Sequence, residues 1–120
     1  MKILPRIRMR IVETLNYRQL LQRVQTGNKH TIITVTARNC PRSNNMIARL
    51  AERRDLNVDV FDIPYERNLP AGALFEIRCV PTAILLEHGM PIARAAQSFE
   101  LDNFLGKVED AVIYDRNPFE

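Results

Sequence analysis

The fold is decided by one stretch of the sequence, Thr31-Ile32-Ile33-Thr34-Val35-Thr36-Ala37-Arg38-Asn39-Cys40-Pro41-Arg42-Ser43. Its first seven residues form a short β-branched run that predicts a buried strand. A helix should follow, with an inward stripe made of Met46, Ile47, Leu50 and Ala51. Cys40 therefore lies where a strand ends and a helix begins. At such a junction, unpaired N–H groups and the positive end of the helix dipole favour thiolate over thiol.

Cys40 is predicted to be a reactive nucleophile. It should occupy the N-cap position, with Pro41 in the first helical turn, where its missing N–H costs nothing. Arg38 and Arg42 stand two residues to either side, and their charges should lower the thiol pKa. Ser43 follows at the spacing of a C-x-x-C pair, but its hydroxyl is not appreciably ionised at neutral pH. The sequence therefore predicts that Cys40 has no second thiol in this motif to resolve a mixed disulfide.

Length and composition predict a single domain. The chain has 120 residues, of which 46% are apolar and 26% charged, so it can bury one core. We expect one domain over residues 1–120, with a core of about 6–113 and a loose tail over 114–120. No apolar stretch is long enough to cross a bilayer, and Met1–Arg6 turns basic too early for a signal peptide. Two cysteines without disulfide spacing agree with a cytoplasmic protein that has no membrane partner.

Positive charge is concentrated at the start of the chain, where residues 1–30 carry a net charge of +6 within a total of +3. Arg6, Arg8 and Arg10 alternate with aliphatic residues, which predicts a strand that turns its arginines to water. An anion-binding patch is the alternative. Because no stacking aromatic side chains are interleaved, we expect no nucleic-acid partner.

The periodicity of the remaining sequence predicts the element order β-α-β-α-β-α-β-β-α. The strand-helix-strand unit around Cys40 implies a parallel pair with a right-handed crossover. His88-Gly89 suits a tight antiparallel hairpin, and Pro91 places its second strand at a sheet edge. After the first strand, the predicted strands are Thr31–Ala37, Asn57–Ile63, Thr82–Glu87 and Met90–Ala96. The predicted helices lie over 16–27, after Cys40, over Asn68–Arg78 and after Ser98, which caps the last one. The core stripe of this last helix is Leu101, Phe104, Leu105, Val108 and Val112.

Two segments of the sequence resemble the thioredoxin family. Residues 36–43, Thr-Ala-Arg-Asn-Cys-Pro-Arg-Ser, stand where thioredoxins carry Trp-Ala-x-Trp-Cys-Gly-Pro-Cys. Residues 75–82, Phe-Glu-Ile-Arg-Cys-Val-Pro-Thr, are similar to the family's Tyr-x-Ile-Arg-x-Ile-Pro-Thr stretch. Phe61-Asp62-Ile63, Gly89 and the final helix fall at matching places. The resemblance implies an α/β thioredoxin-like fold, with a central mixed sheet and helices on both faces.

The resemblance also implies a partner-binding surface. Pro81 matches the family's cis-proline, with an ordinary trans proline as the alternative. The backbone of Val80 would then pair with an extended partner peptide, and Thr82 and Gln97 would lie on the same surface. Asn39 replaces a tryptophan of this surface. Thr34 stands where the family has a buried aspartate that helps to deprotonate the resolving cysteine, so both parts of the resolving step are expected to be missing.

Three functional hypotheses follow. In the first, Cys40 performs monothiol thiol-disulfide exchange on a protein or glutathione mixed disulfide, and an external thiol such as glutathione resolves the product. In the second, Cys79 approaches Cys40 after a loop shift and acts as an internal resolving thiol, with a spectator residue as the alternative. In the third, the domain is a redox-inactive adaptor that offers the Cys40–Ser43 turn and the Pro81 loop as a contact surface.

No metal or resident cofactor is expected. His30 and His88 are predicted to be solvated turn residues, since no metal-ligand spacing surrounds them. Asp59 and Asp62 should lie on opposite faces of their strand and are not expected to form an acid/base pair.

Overall fold

The computed structural model describes residues 10–12, 18, 19, 22, 29–53, 56, 58–65, 76–96 and 98–114. Extended, β-branched and aliphatic runs within these residues form a five-stranded sheet. The strands are β1 at Arg10–Val12, β2 at His30–Thr36, β3 at Asp59–Pro64, β4 at Thr82–Glu87 and β5 at Met90–Ala95.

The strand order is β1-β3-β2-β4-β5, and the sheet is mixed. β3 runs parallel to both β1 and β2, which confirms the parallel pair predicted around Cys40. β4 runs antiparallel to β2 and to β5. His88 and Gly89 both have positive φ, at 51° and 85°, as the tight turn between β4 and β5 requires. β5 is an edge strand, so Pro91 lies where its missing N–H is tolerated.

Two α-helices, α1 at Pro41–Ala51 and α2 at Leu101–Val112, contribute to the described structure. Met46 and Leu50 of α1 and Phe104 and Val108 of α2 are buried in one cluster, which also contains Ile32. Truncation of one such side chain to alanine typically destabilises a protein by about 2–5 kcal/mol. The opposite sheet face buries a second cluster, whose members are Ile33, Val35, Phe61, Ile63, Ile84 and Leu86. Alternation along the strands therefore sends side chains into two separate cores.

The inward stripe of α1 differs from the predicted one. Ser43, Met46 and Leu50 are buried, whereas Ile47 is half-buried and Ala51 is exposed. The prediction missed Ser43 because a hydroxyl is not counted in an apolar pattern. Its spacing of three and seven residues from Met46 and Leu50 nevertheless places it on the same helix face.

The start of α2 also differs. Ser98–Glu100 is a short 3₁₀ helix, and α2 begins at Leu101 with Glu100 as its N-cap. The Glu100 carboxylate accepts a hydrogen bond from the Ala96 N–H at 2.6 Å, so it ties the preceding loop to the helix start. The predicted stripe is otherwise present, with Ala111 buried and Val112 half-buried.

Two further predictions were wrong. His30 is a buried strand residue whose Nε2 lies 3.1 Å from Oε1 of Glu87, because β2 extends one residue further and pairs His30 with Glu87. Residues 76–78 are not helical, although a helix was predicted through Arg78, and Glu76 has a positive φ of 56°. His88 is exposed in its turn, as predicted.

Several predictions fall outside the described residues. These are most of the first strand and first helix, the helix before residue 76, the residue Gln97 and the tail beyond residue 114. Residues 18, 19 and 22 are helical, in agreement with the first predicted helix. Within the described part of the chain, no helix is both long enough and apolar enough to span a membrane.

Candidate active site

The reactive turn connects β2 to α1. Arg38 and Asn39 form an exposed turn, and Asn39 adopts a left-handed φ of 56°, which asparagine tolerates better than most residues. Cys40 is the N-cap of α1, with an extended backbone at φ −109° and ψ 115°, and Pro41 follows in the first turn. The Cys40 carbonyl accepts the Asn44 N–H at 3.0 Å, which begins the helix. The Cys40 side chain is therefore left half-buried at the positive end of the helix dipole.

Ser43 is fixed directly beside Cys40. Its side chain is buried, at 2% exposure, and its Oγ accepts the Ala37 N–H at 3.1 Å. Because Oγ accepts in that bond, the hydroxyl keeps its proton available to donate to the neighbouring Cys40 thiolate. The hydroxyl that replaces a second thiol thus serves as a positioned hydrogen-bond donor.

The pKa of Cys40 is lowered from its ordinary value. The largest cause is the hydrogen bond from the Ser43 side chain, followed by the backbone N–H of Ser43. The Arg42 backbone N–H and the Arg42 charge add smaller contributions in the same direction, and partial desolvation opposes them. Arg38 is not among these contributions. The thiolate is therefore stabilised mainly by hydrogen bonds to the negatively charged form.

The loop before β4 carries the second thiol. The Val80–Pro81 peptide bond is cis, Pro81 is buried, and Val80 packs against the second core cluster. The Cys79 thiol donates a hydrogen bond to the Ala96 carbonyl oxygen at 3.2 Å. The Thr82 hydroxyl donates to the Cys79 carbonyl oxygen at 2.7 Å, which fixes the loop backbone. Both cysteines are free, and Cys79 is directed towards the end of β5.

Sheet register brings the two cysteine-bearing segments to one edge. Val35, near the end of β2, is paired with Thr82 at the start of β4. The turn that leads to Cys40 therefore leaves the sheet next to the point where the Pro81 loop enters it. Asn39 is exposed, Val80 is half-buried and Thr82 is buried at this edge.

Asp62 is a site residue that sequence reasoning missed. The hydroxyls of Thr34 and Thr36 both donate to its Oδ1, at 2.7 Å and 2.8 Å. Thr34 is paired with Asp62 across β2 and β3, on the sheet face that α1 covers. The adjacent strand therefore supplies a carboxylate on the face where Thr34 stands in place of the family's aspartate. Asp62 could be recognised as a partner of Thr34 only from the exact register of the parallel β2–β3 pair, which the sequence alone does not specify.

No group of three or more His, Cys, Asp or Glu side chains could hold a metal ion within the part of the chain that the structure describes. As predicted, Asp59 and Asp62 lie three residues apart in β3 and so face opposite sides of the sheet.

Comparison with known proteins identifies the fold. No protein-family model matches the sequence, and no curated protein sequence matches it. The crystal structure of Plasmodium falciparum thioredoxin matches with a TM-score of 0.70 at 16% identity, over 86% of this chain and 90% of that one. The solution structure of oxidised thioredoxin from the same organism matches with a TM-score of 0.69 at 13% identity, over 87% and 98%. A mutant thioredoxin from Halobacterium salinarum matches with a TM-score of 0.66 at 19% identity, over 88% and 91%.

These matches and the cysteine at the start of α1 define an α/β protein with the thioredoxin fold. The predicted α/β thioredoxin-like fold class with a mixed sheet is confirmed. The full element order and the helices on both faces stay predictions, since α1 and α2 pack in one cluster. At identities of 13–19%, the likeness extends to the fold and leaves the activity to be argued from the site.

Proposed function

We propose that this protein performs monothiol thiol-disulfide exchange through Cys40. The observation that carries the proposal is the position of Cys40, a half-buried free thiol at the N-cap of α1 beside the fixed hydroxyl of Ser43. This setting lowers the pKa of Cys40, chiefly through Ser43. A thiolate is the attacking species in disulfide exchange, so a lowered pKa raises its fraction near neutral pH. Because Cys40 is only half-buried, its sulfur is accessible and can attack the disulfide of a partner.

The proposed reaction has two exchange steps. In the first, the Cys40 thiolate attacks the glutathione sulfur of a protein-glutathione mixed disulfide, which leaves glutathione on Cys40 and releases the protein thiolate. In the second, an external glutathione thiolate attacks that glutathione sulfur, releases glutathione disulfide and regenerates the Cys40 thiolate. The proton lost by the incoming glutathione is taken up by the released protein thiolate. One substrate mixed disulfide is thus reduced at the cost of one external glutathione, which leaves as oxidised glutathione together with the glutathione that the substrate carried.

Ser43 and Cys79 support the need for an external thiol. Ser43 cannot displace a mixed disulfide because its hydroxyl is not appreciably ionised at neutral pH. The Cys79 thiol donates a hydrogen bond to the Ala96 carbonyl oxygen, and this contact favours a spectator role for Cys79 over that of an internal resolving thiol. Glutathione is the proposed external thiol and is not a resident cofactor.

A second candidate function is that of a redox-inactive binding module in a cytoplasmic setting. The observation that favours it is the shared sheet edge, where the Cys40–Ser43 turn and the Val80–Thr82 loop leave the sheet side by side. Exposed Pro41 and Arg42 would extend this surface towards a protein partner. In this case Cys40 would serve as a contact residue only.

The experiment that separates the candidates uses a glutathionylated reporter peptide with glutathione as reductant. Reduction should be lost in Cys40→Ser and retained in Cys79→Ser. Ser43→Cys, which creates an internal thiol pair, should release a bound mixed disulfide without added glutathione. If the wild-type protein shows no exchange and Cys40→Ser still captures the same protein partners, the binding-module function is correct and the exchange proposal is wrong.

A further inference from the structure

A cavity lies beside the Pro81 loop, with Cys79 and Thr82 of that loop in its lining. It has a volume of about 340 Å³ and is partly open to solvent. This volume is at the lower end of the range for ligand pockets, which suits a side chain or short peptide segment. Its lining consists of Glu76, Arg78, Cys79, Thr82, Arg94 and Ala96.

The lining carries two guanidinium groups and one carboxylate. Arg78 belongs to the loop before β4, and Arg94 belongs to the edge strand β5. Nη1 of Arg94 donates to the backbone carbonyl of Glu76 at 3.4 Å, so the two walls are in contact. Among the described residues, Arg78 has no carboxylate in an ion pair with it. Arginine presents a planar set of donors that matches a carboxylate, which makes a negatively charged group the preferred occupant.

The cavity adjoins the sheet edge at which the partner is proposed to dock. Cys79 and Thr82 line it, and the two residues between them are Val80 and Pro81. Phe99 is 82% exposed and lies three residues after Ala96, which also lines the cavity. An exposed aromatic side chain in the segment that follows the lining favours a polypeptide partner over a free anion.

We propose that this cavity binds a carboxylate side chain of a polypeptide segment docked along the Val80–Thr82 loop. The protein therefore prefers partner segments that carry Asp or Glu close to the contacted residue. This inference deepens the proposed function, since it assigns a substrate class to the same docking edge. The carboxylates of glutathione offer the same chemistry, so the test includes glutathione as a separate ligand.

The test measures binding in the Cys40→Ser protein with probes that contain neither thiol nor disulfide, so that no exchange can occur. The probes are a short fluorescent peptide with glutamates flanking a central serine, its glutamine twin, and S-methylglutathione. We expect the glutamate peptide to bind about threefold to tenfold more tightly than its twin, with the difference reduced at about 0.5 M salt. In Arg78→Gln and Arg94→Gln the preference should fall to about twofold or less.

Lys107→Gln is the matched control, because it removes one positive charge from α2, away from this lining. It should retain the glutamate preference, and thermal unfolding should show that all variants are folded. Equal binding of the twin peptides, or a preference that survives loss of both arginines, would overturn the inference. Arginine-dependent binding of S-methylglutathione without a difference between the twins would assign the cavity to glutathione and also overturn it. Since binding is measured without Cys40, failure of the exchange proposal leaves this result unaffected.

Discussion

Cys40 and Cys79 are both half-buried free thiols, yet the groups beside their sulfurs differ. Cys40 lies at the N-terminus of an α-helix next to a hydrogen-bond donor, the Ser43 hydroxyl, which is the largest cause of its lowered pKa. The Cys79 sulfur donates to a backbone carbonyl, a contact that only the protonated thiol can make. Exposure alone therefore does not distinguish a nucleophile from a spectator. The direction of the hydrogen bond at sulfur is the informative feature, because a donor stabilises thiolate and an acceptor needs the thiol proton.

Removal of each thiol in turn should give the largest difference. Because only Cys40 carries the proposed nucleophile, Cys40→Ser should lower the rate of reporter-peptide reduction by about 10³-fold or more. Cys79→Ser should remain within about twofold of the wild-type rate, since a serine hydroxyl can also donate to the Ala96 carbonyl. The rates are measured with glutathione in excess. Equal loss of activity in the two variants would contradict the spectator role of Cys79 and support its role as an internal resolving thiol.

The Cys40 side of the sheet also contains a half-buried carboxylate, that of Asp62, and its removal should affect stability. Asp62→Ala leaves the hydroxyls of Thr34 and Thr36 without their acceptor, so we expect the free energy of unfolding to fall by about 1–3 kcal/mol. Asp62→Asn keeps an acceptor oxygen and should cost less. Urea unfolding measures both variants. A loss in Asp62→Asn equal to that in Asp62→Ala would show that the negative charge, rather than the acceptor, is required.

Ser43 should control the reactivity of Cys40 but not that of Cys79. Ser43→Ala removes the largest cause of the lowered Cys40 pKa, so this pKa should rise and the thiolate fraction at neutral pH should decrease. Alkylation rates at each cysteine, read by mass spectrometry, report the effect. The Cys79 rate provides the internal control. Unchanged alkylation of Cys40 would mean that the helix start alone lowers its pKa.

The arginines beside Cys40 should have the smallest effect. Arg42→Gln removes only its charge and leaves its backbone N–H in place, so Cys40 alkylation near neutral pH should slow by about twofold or less. Arg38→Gln is the matched control and should have less effect still, because Arg38 does not contribute to the lowered pKa. The same alkylation assay at low and high salt measures both. A larger effect in Arg38→Gln than in Arg42→Gln would show that the charge of Arg38, and not that of Arg42, acts on the Cys40 sulfur.

Local patterns predicted much of this molecule. The β-branched run before residue 37, the His88-Gly89 turn and the N-cap position of Cys40 depend on neighbours in sequence, and the structure contains all three. The contacts that tune the site depend on long-range register instead. Asp62 reaches Thr34 only because β2 and β3 are parallel and paired at that residue. For the same reason, pairing with Glu87 turned His30 from a predicted turn residue into a buried strand residue.

Ser43 shows the same limit within one helix turn. The sequence revealed that a hydroxyl replaces a thiol and therefore predicted a loss of chemistry. It did not reveal that the Ala37 N–H would fix that hydroxyl, since this bond depends on how the Arg38-Asn39 turn is folded. The substitution removes a resolving group and supplies a hydrogen-bond donor at the same position.

The most direct test of this account is the pH dependence of Cys40 alkylation in the Cys79→Ser protein, measured in the folded state and again in urea. A lowered pKa means that folded Cys40 becomes a thiolate at lower pH than the same residue in the unfolded chain. We therefore expect the folded profile to rise at lower pH, and to move towards the unfolded profile in Ser43→Ala. Coincident folded and unfolded profiles would contradict the claim that the Ser43 hydroxyl primes the Cys40 thiol.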